Sequence, residues 1–379
     1  MRKEYLLAPG PTQVPPEVLL EMAKPVVHHR TAAFRKLHQE VLEDLKMVFR
    51  TKADTFTITS SGTGAMESAV VNVVSPGEKT LVVNGGKFGE RWVNLSNAFG
   101  AKPIVINVEW GKAVDPEEIR KQLKANPDIA AVYTQLVETS TGVVTDMAAI
   151  GAIVKETKAL LVCDGISSVG AIPMETDAWG IDMLVSGSQK ALMLPPGLSF
   201  ITVSQKAWKA VDARKPACFY FDLKKARKNI PTFDNPWTPA VTLVVGLKAS
   251  LNMIKARGIE QVWKDHTRLA NATRAAVKAM GLQLFANPPA DCVTAIRMPE
   301  GIDGEAVVKK LRADHGITIA GGQDAAKGKI IRVSHMGYID DSDVVIAISA
   351  IERVLAGMGY KFELGAGLAA AQKQLSVVS

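Results

Sequence analysis

Cysteine is scarce: Cys163, Cys218 and Cys292 are the only three in 379 residues, far apart and with no CxxC pair. That spacing excludes a zinc ribbon or an iron–sulfur subunit and suits a reducing compartment. Long apolar runs are missing too. No window approaches the roughly 18 apolar residues of a membrane span, and none follows Met1-Arg2-Lys3-Glu4-Tyr5 as a signal peptide would require. A cytoplasmic protein without membrane partners is therefore expected. Charge excess is small: 45 Lys and Arg less 38 Asp and Glu leaves +7, spread along the chain. Its densest cluster, Lys224-Lys225-Ala226-Arg227-Lys228, is read as a solvated loop rather than a nucleic-acid site. There is no repeat or low-complexity block. What is present, 47% apolar and 22% charged residues, describes a folded protein long enough for a large domain and a smaller one.

Residues 1–33 carry turn formers rather than periodicity: Pro9-Gly10-Pro11, Pro15-Pro16 and His28-His29-Arg30. They predict an extended arm and a short helix. Phe34, Leu37, Val41, Leu42, Leu45, Val48 and Phe49 then recur at helical spacing, which predicts an amphipathic helix. From residue 56 the rhythm changes to short apolar runs at 56–59, 80–83, 103–107, 129–134, 159–163, 182–185 and 199–203. None alternates cleanly, as expected of strands buried on both faces. Segments of helical length, such as 115–124 and 146–157, separate them. The pattern is that of a wound α/β domain around a mainly parallel, seven-stranded sheet. After a Pro- and aromatic-rich stretch from Phe219 to Pro239, a long helical segment is predicted over about 241–280. A smaller α+β unit follows, with strands at 293–297 and near 329–333 and helices at 304–315 and near 342–357. The Ala-rich tail from Gly365 is expected to fray. The organisation expected is an arm over 1–20, a large domain over 21–255 and a small domain over 256–379.

In a wound sheet, ligands gather beyond the carboxyl ends of the strands. Three features stand there. Ser60-Ser61-Gly62-Thr63-Gly64 follows the first run and precedes a helix predicted over 65–74. Small residues at a helix start leave backbone N–H groups free, the geometry that binds phosphate; a tight strand–helix turn explains the same residues. Leu161-Val162-Cys163-Asp164 brings an acid out at the end of a buried strand, either as an N-cap or as an anion for a cationic group on a ligand. Ile181-Asp182-Met183-Leu184-Val185-Ser186-Gly187-Ser188-Gln189-Lys190 places a lysine after a strand and a Ser-Gly-Ser-Gln turn. Lysines are seldom buried without a role. One held in an apolar surround has the lowered pKa that a Schiff-base lysine needs. A phosphate cradle, an acid and, 26 residues later, a lysine are the groups that pyridoxal phosphate requires for its phosphate, ring nitrogen and aldehyde.

The stretch 181–201 resembles the lysine site of class V pyridoxal-phosphate aminotransferases, of fold type I. Leu7-Ala8-Pro9-Gly10-Pro11-Thr12, His29-Arg30, Ser61-Gly62-Thr63-Gly64-Ala65-Met66-Glu67, Glu138-Thr139-Ser140-Thr141-Gly142 and Gly328-Lys329-Ile330-Ile331-Arg332 also fall in the family's order, over essentially the whole chain. The likeness is to the alanine–glyoxylate and serine–pyruvate branch, some of whose bacterial members are labelled soluble hydrogenase 42 kDa subunit. The resemblance implies that Lys190 forms the Schiff base and shuttles the proton, and that Asp164 holds the ring nitrogen protonated. It implies Ser61, Gly62, Thr63 and Gln189 on the phosphate, Thr139 on the ring's hydroxyl side, and Phe88, in the loop 84–89, stacked on the ring. Arg332 would grip the substrate carboxylate with a bidentate fork that lysine does not reproduce, with the backbone of Gly10 beside it. Thr238, in Trp237-Thr238-Pro239, would complete the neighbouring subunit's phosphate site, which implies a homodimer with a shared active site.

On the residues alone, Arg332 reads also as a surface ion-pair residue, Phe88 as core and Gly10 as a turn former. His28, His29 and His335 are assigned no chemistry, since no carboxylate or Cys lies at ligand spacing from the first two and the lysine already fills the acid–base role. A small site with one carboxylate clamp and no obvious second Arg favours alanine or serine as donor and glyoxylate or pyruvate as acceptor. Aspartate, 2-aminoethylphosphonate and ureidoglycine stay open. A cysteine desulfurase-like lyase needs a nucleophilic Cys on a mobile loop, and only Cys292 lies in the small-domain half. A hydrogenase-associated redox subunit needs thiolate clusters, which three isolated cysteines do not supply.

Overall fold

A computed structural model describes residues 3–376. At its centre lie seven strands: β1 (Asp54–Ile58), β2 (Lys79–Asn84), β3 (Lys102–Asn107), β4 (Ala131–Gln135), β5 (Leu160–Asp164), β6 (Met183–Gly187) and β7 (Ser199–Val203). They pair in the order β1-β7-β6-β5-β4-β2-β3. Only β7 runs against its neighbours; the other six point one way. These are the seven apolar runs of the sequence, displaced by no more than two residues. β6 extends through Gly187, so the turn that carries Lys190 begins at Ser188.

Both faces of the sheet are covered, which explains the missing alternation. Successive side chains point to opposite faces. Leu160 and Val162 enter a core shared with Ala65, Met66, Ala69 and Val70 of helix Gly62–Val71, whereas Leu161 and Cys163 enter the opposite core with Phe34, Val41 and Leu45 of helix Ala32–Phe49. Each such leucine, fully buried, contributes about 2 kcal/mol. A third core, built on Leu269, Ala276, Ile296, Leu311, Ile331, Val344 and Ile351, belongs to the C-terminal part. There an antiparallel sheet orders Gln283–Leu284, Val293–Arg297, Ile330–Ser334 and Ala320–Gly321.

Four local expectations are corrected. The helical segment predicted over about 241–280 is two helices, Val241–Arg257 and Ile259–Ala279, broken at Gly258, whose φ of 82° lies in the left-handed region that ends helices. The tail is not frayed: Ala366–Leu375 is a packed helix, and the buried Glu352 carboxylate accepts the N–H groups of Gly365, Gly367 and Leu368 at 3.0, 2.7 and 3.2 Å. The basic cluster is not a loop; Leu223–Arg227 is a short helix capped by Asp222. The helix after β1 starts at Gly62 rather than residue 65, so the small residues form its first turn.

The arm ties the two sheets together. Tyr5–Leu6 pairs in parallel with Ile317–Thr318, and Ser334 N–H donates to the Leu7 carbonyl at 2.9 Å. Five residues later the Thr12 hydroxyl donates to the Lys190 carbonyl at 2.8 Å and its N–H to the Gln189 carbonyl at 3.1 Å.

Candidate active site

The carboxyl ends of β1, β2, β4, β5 and β6 open on one cavity of about 260 Å³. Gly10, Ser61, Gly62, Thr63, Phe88, Thr139, Asp164, Gln189 and Lys190 all line it. Lys190 is buried, and its Nζ donates to the Pro9 carbonyl. Burial pushes its pKa down to about 8, with the positive charges of Arg332 and Arg91 acting in the same direction. Gly10 has a φ of 122°, and a Cβ there would stand 2.4 Å from Lys190 Nζ. Asp164 ends β5, where its Oδ1 accepts the Ile166 N–H at 2.7 Å. Burial raises its pKa to about 7; the carboxylate of Glu138 adds to the rise, and Arg91 and Lys190 oppose it.

Ser61 is the N-cap of helix Gly62–Val71, yet its hydroxyl makes no capping bond. The N–H groups of Gly62 and Thr63, at the first two helical positions, have no intrahelical acceptor, and the helix dipole adds positive potential there. Gln189 Oε1 is buried without a partner. Phe88 lies in the first turn of helix Lys87–Ala98 and not in a loop, with the Arg91 guanidinium 5.0 Å from its ring centroid. The Thr139 hydroxyl donates to Ser167 Oγ. Arg332, on the Ile330–Ser334 strand, is buried; its Nε donates to the Gly321 carbonyl at 2.9 Å and its Nη1 to the Thr139 carbonyl at 2.8 Å. Among the described residues no carboxylate lies within salt-bridge distance of it.

Thr238 is not brought to this cavity. It lines a separate one beside Thr59 and Tyr220, and a shallow groove with His28 and His29, whose rings stack 4.8 Å apart. His335 is fully buried with its Nε2 2.8 Å from the Thr294 hydroxyl, and burial pushes its pKa down to about 3. Three residues of the site escaped the sequence reading: Arg91, Ser167 and Glu138. Arg91 also corrects the expectation of no second arginine, since it lines the cavity. It stands three residues after Phe88, a helical neighbour; a loop over 84–89 hid that relation.

These groups fit pyridoxal phosphate. The uncapped helix start, with Gln189 lining the same cavity, suits a phosphate, Asp164 a ring nitrogen, and the low-pKa Lys190 an aldehyde. The profile of aminotransferase class-V matches residues 4–346. The chain belongs to that family. It is 42% identical to the soluble hydrogenase 42 kDa subunit of Anabaena cylindrica, over 99% of each chain. It is 36% identical to the serine–glyoxylate aminotransferase of Methylorubrum extorquens, over 98% of this chain and 96% of that one. Among solved structures, the ureidoglycine–glyoxylate aminotransferase of Bacillus subtilis superposes with a TM-score of 0.94 at 30% identity, over 99% and 98% of the two chains. This class V aminotransferase therefore has the fold type I architecture, and its family implies pyridoxal phosphate as cofactor.

Proposed function

We propose that this class V aminotransferase moves the amino group of a small amino acid, alanine or serine, to glyoxylate or pyruvate in a ping-pong cycle. The observation that carries the reading is the convergence of Lys190, Asp164 and the helix start at Ser61–Thr63 on one cavity; Arg332 is not part of its lining but is held by the carbonyl of Thr139, which is. Pyridoxal phosphate, when bound, supplies an electron sink for the bonds at the amino acid's Cα. Ser61, Gly62, Thr63 and Gln189 hold its phosphate, Thr139 its hydroxyl side and Phe88 a face of its ring. Asp164 holds the ring nitrogen's proton. Lys190 Nζ, with a pKa near neutrality, both accepts and returns the proton at Cα. Arg332 binds the carboxylate with the backbone of Gly10 beside it. Thr238 of the partner subunit completes the phosphate site in a cytoplasmic homodimer; its distance from the cavity of its own chain agrees with that role.

The two rival classes fare worse on geometry. A desulfurase needs an accessible thiolate, and Cys292 is fully buried with its thiol pushed up to about 12. A redox subunit needs clustered ligands; Cys163 is likewise buried, Cys218 lies apart, and among the described residues no three metal-ligating side chains meet. The test is the visible spectrum of the purified protein with pyridoxal phosphate, before and after L-alanine, L-serine, L-aspartate or ureidoglycine. A cofactor band that bleaches with alanine or serine and returns with glyoxylate supports the proposal. A band that responds to aspartate or ureidoglycine alone transfers the assignment to that donor, and a band that no amino acid alters sinks the transaminase reading.

A further inference from the structure

Glu138 has no place in the chemistry above, yet it is the most heavily solicited carboxylate near the cavity. It is 3% exposed, three residues beyond the end of β4 on the segment that carries Thr139. Its Oε2 accepts the Gly89 N–H at 3.0 Å, the Phe88 N–H at 3.2 Å and Gln135 Nε2 at 3.3 Å. Its Oε1 accepts the Ser140 N–H at 3.2 Å and the Ser140 hydroxyl. Every partner donates. Burial pushes the carboxyl pKa up, and the four hydrogen bonds from Ser140, Gly89 and Phe88 oppose that rise. The arrangement is thus written for an anion.

The donors come from two walls of the site. Helix Lys87–Ala98 starts at Gly86, which offers no side-chain cap. Its first three N–H groups are instead taken from across the site: that of Lys87 by Ser140 Oγ at 3.0 Å, those of Phe88 and Gly89 by Glu138. A Cβ on Gly86 would lie 2.4 Å from Ser140 Oγ and 2.6 Å from Glu138 Cδ, so only glycine lets the two segments approach so closely. On the other wall, the residue after Glu138 offers the carbonyl that holds Arg332 Nη1. One carboxylate thereby fixes both the helix turn bearing Phe88 and Arg91 and the peptide on which Arg332 rests.

We propose that Glu138 is a positioning residue: a buried anionic staple that caps the Phe88 helix and, through Thr139, aims Arg332, so that cofactor grip and substrate-carboxylate grip depend on one side chain. The proposal rests on the assignment of this cavity as the pyridoxal phosphate site. Such preorganisation costs nothing at the moment of reaction and is lost when a supporting contact loosens.

Glu138→Gln is the sharp variant, because it keeps the volume but turns one acceptor oxygen into a donor that faces donors. The measurements are equilibrium binding of pyridoxal phosphate to the cofactor-free protein, followed by tryptophan fluorescence, and the KM for the amino donor of the holoenzyme. Melting temperature is recorded alongside. As a control, Asp115→Ala removes the N-cap of helix Pro116–Ala125, on no wall of the cavity. We expect Glu138→Gln to weaken cofactor binding and to raise the KM, each at least tenfold, while Asp115→Ala lowers the melting temperature and leaves both constants within twofold. If Glu138→Gln merely melts earlier with both constants unchanged, the residue is a structural cap and the proposal fails. Should Glu138→Gln not fold, Ser140→Ala decides: it removes one donor to the carboxylate and the acceptor of the Lys87 N–H, and unchanged constants there refute the staple. A wild-type protein that binds no pyridoxal phosphate overturns the assignment of the site itself.

Discussion

Lys190→Met should make the cofactor-free protein more stable at neutral pH. A lysine whose pKa falls from 10.5 in an unfolded chain to about 8 when folded carries a penalty, because below pH 8 the native state must keep a buried ammonium. At about 1.36 kcal/mol for each tenfold change in proton affinity, that penalty is about 3 kcal/mol. Methionine fills a similar volume without a charge. It forfeits the hydrogen bond to the Pro9 carbonyl, worth about 1 kcal/mol, so the net gain is about 2 kcal/mol. For a chain of 379 residues unfolding with about 0.8 kcal/mol/K of entropy, the melting temperature should rise by roughly 2–3 °C. The pH dependence carries the sharper signature. Between pH 8 and 10.5 the unfolded wild type holds a proton that the folded form has released, so wild-type stability climbs through that window; above it the penalty is gone. Differential scanning at pH 7 and pH 10.5, with cofactor removed from both proteins, should show the advantage of Lys190→Met at the first pH and its disappearance at the second. A variant that melts no higher than wild type at pH 7, or whose advantage persists undiminished at pH 10.5, refutes the claim that burial depresses this lysine.

Asp164 has the opposite signature. Its folded pKa of about 7 exceeds the unfolded value of 3.8, so its contribution to the stability of cofactor-free protein is complete below pH 4 and lost as pH rises to 7; Asp164→Asn should flatten that slope in denaturation curves taken across the window. Arg332→Lys should raise the KM for the amino donor about 30-fold, the equivalent of about 2 kcal/mol, with a smaller change in kcat, since lysine can neither fork to a carboxylate nor hold the Gly321 and Thr139 carbonyls together. Gly10→Ala places a methyl group 2.4–2.8 Å from the Lys190 side-chain atoms, at a φ that disfavours L-residues; absorbance titration with pyridoxal phosphate should find the visible band weakened, and a band of wild-type strength would count against the close contact. Glu352→Ala strips the acceptor from three backbone N–H groups, so helix Ala366–Leu375 should become the first site cut in limited proteolysis, with about 2 kcal/mol of stability lost.

Local sequence carried the central sheet because each strand, buried on both faces, is written as a short apolar run, and because Gly, Pro and Ser punctuate the turns. It carried the helix at Ala32–Phe49 for the same kind of reason: Thr31 caps it and one stripe faces the core. Where it misled, a distant partner decided. The C-terminal helix depends on Glu352, 13 residues before the first N–H group it accepts, and nothing in the Ala-rich tail announces that acid. The break at Gly258, by contrast, is local: a glycine that takes a φ of 82° ends one helix and begins the next.

The site divides along the same line. Lys190 and Asp164 are legible because a charged side chain at the end of an apolar strand breaks a local rule, and such a breach marks function. Arg91 and Glu138 break none: each is a charged residue with no local signal of its own, three positions after Phe88 and one before Thr139 respectively. Their meaning arises only when β2 and β4 lie side by side in the sheet, paired in parallel at Thr80–Val82 with Ala131–Tyr133. That pairing sets the segment after β4 against the start of the helix after β2, so a carboxylate from one satisfies the bare N–H groups of the other. The chemistry of this enzyme is therefore spelled along individual strands, whereas the scaffold that aims it is spelled across them. A single sequence exposes the first; the second needs the sheet order.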